Sequence, residues 1–164
     1  MSKGRLAYRL INYYKLEGFH AIWFSVFAVF LNFKYTPSRS LLLNFGIILI
    51  ISILVQGACF WKIKLDSMHG ISFPTANTVK LFSACKYLNA ALIISYPFFI
   101  LFLYHVNLFT EQSNKVWAFF AYAFGVAEHI NYYYIQLMYD NKNDWNYLLR
   151  HRKLKTAHLK KFIS

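Results

Sequence analysis

The residues best suited to chemistry lie together in the stretch Ala127 to Asp140, AEHINYYYIQLMYD. Glu128 offers a carboxylate, His129 an imidazole and Tyr132 a phenol, the groups from which general acid/base catalysis is assembled. On a helix, Glu128, Asn131, Tyr132, Ile135 and Tyr139 share one face, with His129 and Gln136 at its edge. Neighbouring residues point about 100° apart, so Glu128 with Tyr132 is a better acid/base pair than Glu128 with His129. The competing assignment is structural. Buried polar side chains between membrane helices commonly serve as hydrogen-bond links, each contributing about 0.6 to 2 kcal/mol.

These groups need a scaffold, and composition says which kind. Of the 164 residues, 58% are hydrophobic and 21% aromatic. A water-soluble domain of this length lacks the interior to hide so many large apolar side chains. The expected fold is therefore an all-α integral membrane protein: a four-helix antiparallel bundle with an N-terminal amphipathic interfacial helix and short basic C-terminal helices. The segments are an interfacial piece at 1–17, spans at 18–35, 41–61, 88–106 and 116–139, a loop at 62–87 and a basic tail at 140–164. Each span approaches the length of about 20 residues that crosses the hydrocarbon. No segment alternates as a barrel strand does.

Orientation follows from charge. Fifteen of the 18 lysines and arginines lie in the N-terminal segment, the loop after the second span and the C-terminal tail. The positive-inside rule places both termini in the cytoplasm, with a bacterial inner membrane as the expected location. Leu6, Leu10, Tyr13 and Tyr14 fall near one helical face, consistent with a helix lying at headgroup level. Arg5, Arg9, Lys15, Arg150, Arg152, Lys153 and Lys155 are the expected contacts for anionic lipid headgroups or a partner. Thr75 or Asn77, Asp144 and Thr156 are expected helix caps. Basic residues that flank apolar runs, rather than lining a polar surface, argue against nucleic acid.

With the spans oriented, Glu128 falls near mid-depth, and His20, Gln56 and Asn89 can join it. Together with Asn131, Tyr132 and Gln136 they form an expected polar cluster in the inner half of the bundle. A bare carboxylate there has to be protonated, paired or hydrated. His20 and His129 match poorly in depth for bis-histidine haem ligation. Cys59 and Cys85 lack metal spacing. No Walker loop, nucleophile elbow or dinucleotide fingerprint occurs, so neither metal nor cofactor is expected. The sequence reads as a non-catalytic membrane protein acting through assembly, as a homo-oligomer or with a membrane-protein partner. An enzyme or carrier for a lipid-like molecule, with an inward pocket around Glu128, is the alternative, and an oligomeric pore the third.

Overall fold

The computed structural model describes residues 3–71, 75–139 and 142–163, and the described residues form six α-helices and one 3-10 turn. Helix α1 is Lys3–Lys34, α2 Leu41–Met68, α3 Thr75–His105 and α4 Lys115–Tyr133; α5 (Lys142–His151) and α6 (His158–Ile163) make up the tail. Three of these helices are long and apolar enough to cross a membrane: α1, α2 and the Ala76–His105 part of α3. Helix α4 is not among them, because Glu128, His129 and Asn131 lower the hydropathy of its 19 residues.

Helix α2 is apolar all round, and such a helix belongs in the middle of a bundle. Over its most apolar window 56% of the residues are buried, against 11% for α1 and 17% for α3. Helices α1 and α4 pack on α2 most extensively, and α3 closes the remaining side. Gly46 on α2 allows the close approach of α4: a Cβ there would lie 2.9 Å from the Cβ of Ala121.

Pro97 sits inside α3 and has no N–H to donate to the Ile93 carbonyl one turn earlier. The Tyr122 hydroxyl of α4 takes that carbonyl instead, at 3.0 Å. Its ring stacks on Tyr96 at 4.1 Å. A gap in one helix thereby becomes a link between two.

One end of the bundle carries both short connections. There Gln112 is buried, its Nε2 donating to the Ser38 carbonyl at 2.6 Å and its Oε1 accepting from the Leu42 amide at 3.2 Å. Ser40 and Asn44 both donate to the Asn32 Oδ1, at 2.9 and 2.8 Å. The opposite end holds the N-terminal half of α1, the C-terminal ends of α2 and α4, and the tail; it is called the basic end below.

Four expectations are corrected. The interfacial piece and the first span are one uninterrupted helix, since Gly18 at their boundary meets nothing within 4 Å and no proline intervenes. The helix carrying Glu128 stops at Tyr133, so Ile135, Gln136 and Tyr139 do not continue its face. Beyond it the chain pairs with the tail. The Gln136 amide donates to the Lys155 carbonyl at 2.7 Å and the Ala157 amide to the Tyr134 carbonyl at 3.2 Å, around the antiparallel bridge Ile135–Thr156. Third, Thr156 therefore belongs to this bridge and Asp144 lies inside α5, so neither stands at a helix N-cap. Fourth, the tail, expected as a basic contact surface for headgroups or a partner, also packs on the bundle, with Leu159 buried and Phe162 edge-on against Phe60 and Phe82. Helix α3 begins at Thr75, whose side chain lies outside the described residues, and Asn77 is already within the helix.

Candidate functional site

Glu17 lies on the same stripe of α1 as Leu6, Leu10 and Tyr13, at i+11, i+7 and i+4 respectively, and that stripe faces the bundle. Its Oε1 accepts a hydrogen bond from the Tyr132 hydroxyl of α4. The phenol reaches across α2 only because residue 57 is glycine: a Cβ there would fall 2.4 Å from the Tyr132 oxygen. Three helices thus meet at one polar contact. Sequence reasoning missed Glu17, which reads as one more charge in a basic N-terminal segment. Its place on the apolar stripe was the available signal.

The contact stands at the deep end of a cavity of about 810 Å³ that opens toward the basic end. The α1 wall runs from Leu6 to Glu17, about 16 Å along the helix axis. Phe60, Trp61, Lys64 and Met68 of α2 form the facing wall, and Tyr13 packs on Trp61 with ring centroids 5.1 Å apart. The tail closes the mouth with His158, Leu159 and Lys161. Its position is fixed by Asp144, which accepts from Gln136 Nε2 at 3.1 Å and from the Lys155 ammonium. Asn131 holds the segment after α4, its Oδ1 accepting the Leu137 amide at 2.8 Å.

The expected site residues separate into groups. Asn131, Tyr132 and Gln136 line the cavity, whereas Glu128 does not. With α4 ending at Tyr133, Glu128 lies about 8 Å from the helix terminus. Its carboxylate accepts from Asn131 at 3.3 Å and interacts electrostatically with His20 of α1. Tyr132 gives its hydroxyl to Glu17, so the Glu128–Tyr132 acid/base pair is not assembled. His129 points elsewhere, buried against the Tyr133 and Tyr134 rings and feeling Lys86 of α3. Glu128 with His20 and His129 with Lys86 thus occupy different sides of α4, and the two histidines do not converge.

Gln56 and Asn89 form a separate, closed network. They exchange hydrogen bonds at 2.7 and 3.2 Å, Gln56 Nε2 also donates to Ser52 at 2.9 Å, and the Tyr133 hydroxyl donates to Gln56 Oε1 at 2.7 Å. Asn89 is fully buried. A network with its donors and acceptors matched across α2, α3 and α4 serves packing.

Among the basic residues expected at headgroups, Arg5, Lys15, Arg150, Arg152 and Lys153 are exposed, while Arg9 and Lys155 line the cavity. His158 stands over Trp61 at its mouth. Desolvation there, then the positive charges of Lys64 and Lys161, push its pKa down to about 4. Its imidazole is neutral at pH 7. Among the described residues no group of three or more His, Cys, Asp or Glu is placed to hold a metal ion, and Cys59 and Cys85 are both free thiols. Comparison with family models, with curated proteins and with solved structures gave no match.

Proposed function

We propose that this chain is a four-span protein of a bacterial inner membrane, with both termini in the cytoplasm, that holds a lipid-like molecule in its basic-end cavity. Three helices are long and apolar enough to serve as spans. The 19 residues of α4 extend about 28 Å, close to the hydrocarbon thickness, and supply the fourth. The strong bias of lysine and arginine toward the termini, the C-terminal end of α2 and the N-terminal half of α3 supports the orientation. The cavity itself carries the functional reading. Its volume of about 810 Å³ falls within the range of small-molecule sites, and it joins apolar walls to a few convergent polar groups. It is built around Glu17 and Tyr132 rather than around Glu128.

A photoactivatable alkyl amphiphile tests this directly. Labelling should concentrate on α1 between Leu6 and Glu17 and on α6, and unlabelled amphiphile should compete for it. Labelling confined to the outward faces of α1 and α3, without competition, would contradict the proposal.

One observation favours assembly as a second reading. Phe19, Ile22, Val26, Phe30 and Phe33 form a continuous exposed stripe along α1 at helical spacing. The hydrogen-bonding capacity of Gln56 and Asn89, by contrast, is used within the chain. A second copy seated on the stripe would give disulfide-linked dimers of a Val26→Cys variant in native membranes. Monomer only would leave the stripe to lipid.

A further inference from the structure

Three cations from three separate elements converge on the cavity: Arg9 from α1, Lys64 from α2 and Lys161 from α6. A solvated basic face spreads such charges apart, and gathering them in a partly desolvated recess raises their mutual repulsion. Lys64 and Lys161 feel each other directly, and the Lys64 ammonium is held over the Phe60 and Trp61 rings at 5.0 and 5.6 Å. The fourth cation, Lys155, is in an ion pair with Asp144. Among the described residues that line the cavity, Lys64 and Lys161 are in no ion pair with a carboxylate, and Arg9 donates to the Tyr13 hydroxyl at 2.5 Å. His158 at the mouth is kept neutral first by desolvation and then by the neighbouring charges of Lys64 and Lys161.

The apolar surface has a definite position relative to these charges. Arg9 lies two turns closer to the N-terminus of α1 than Glu17, so the cations sit nearer the basic end. Leu10, Tyr13 and Leu16 continue from them toward the bundle. A charged head at the mouth and a hydrocarbon chain directed inward would satisfy both surfaces.

Resting on the assignment of the cavity as a ligand site, we infer that its occupant is an amphiphile with a phosphate monoester head and one hydrocarbon chain. The head is held among Arg9, Lys64 and Lys161, and the chain lies along Leu10, Tyr13 and Leu16. A phosphate monoester carries about −1.5 to −2 at pH 7, which suits the neighbouring ammonium groups of Lys64 and Lys161. Its oxygens accept charge-assisted hydrogen bonds from guanidinium and ammonium groups together.

Trp61 in the cavity wall supplies the readout. In the protein with Trp23, Trp117 and Trp145 changed to phenylalanine, chain-brominated hexadecyl phosphate should quench Trp61 saturably. The brominated alcohol of equal length should bind at least about tenfold more weakly. Lys64→Gln and Lys161→Gln should each weaken the phosphate about tenfold and leave the alcohol unchanged. Should Lys64→Gln lower thermal stability, Lys161→Gln, at an exposed position on α6, decides the point. Equal binding of alcohol and phosphate would overturn the head assignment while keeping the cavity as a ligand site. Absence of saturable quenching by either probe would overturn both. Displacement of the brominated phosphate by inorganic phosphate at comparable concentration would make free phosphate the ligand and overturn the chain.

Discussion

Glu17, Gly57 and Tyr132 set the geometry of the cavity floor from three different helices. Removing the acceptor strands a deeply buried phenol, and an unsatisfied hydroxyl costs about 1 to 3 kcal/mol. Glu17→Ala should therefore lower stability by roughly that amount, whereas Glu17→Gln, which keeps an acceptor oxygen, should lose much less. Unfolding of the detergent-solubilised protein, followed by far-UV circular dichroism, measures both. Equal loss in the two variants would mean that charge, not hydrogen bonding, matters at residue 17. At this scale the sequence disclosed Asn131, Tyr132 and Gln136 as polar residues of interest, and the structure places all three at the cavity. It drew attention to Glu128 rather than Glu17, because a carboxylate inside an apolar run is conspicuous and one in a basic N-terminal segment is not.

Helices were legible for a simple reason: long apolar runs bounded by charges and turn residues leave few alternatives. Their ends were not. Nothing local in YYYIQLMYD announces that the chain leaves the helix after Tyr133, because the competing partner is the strand-like segment around Thr156, more than twenty residues away. Tertiary pairing overrode local periodicity there. The Pro97 gap was equally silent about its partner. Tyr122→Phe should leave the Ile93 carbonyl without the hydroxyl that now donates to it, lowering stability by about 1 kcal/mol or more. Pro97→Ala restores the backbone donor, so the double variant should recover part of that loss, and a double-mutant cycle reads the coupling. Additive effects would break the proposed link.

The docking of α6 carries a pH signature. His158 has a folded pKa of about 4, below the ordinary value of 6.5, so the unfolded or undocked tail binds more protons between those values. Docking is therefore fully supported above about pH 6.5 and weakens as pH falls toward 4. Lys64 and Lys161 resist protonation of the ring, while Asp144 opposes them. Hydrogen exchange of α6 amides should accelerate over that window beyond the intrinsic rate, and His158→Gln should remove the dependence. A pH-independent protection factor would contradict this account.

For the whole molecule, a hub helix sheathed by three others leaves its open space at one end, where most of the positive charge also collects. Charge asymmetry was visible in the sequence and led to the proposed orientation; the cavity was not, because it is formed by residues from α1, α2, α4 and the tail together. Single cysteines at Ser2 and Ser164, in a background with Cys59 and Cys85 changed to serine, should be reached by membrane-impermeant thiol reagents only from the cytoplasmic side. The most direct test of the central claim is native mass spectrometry of the protein released from its membrane in mild detergent. A reproducible adduct of one small amphiphile per chain is the predicted result. A bare chain, or an oligomer of bare chains, would contradict it.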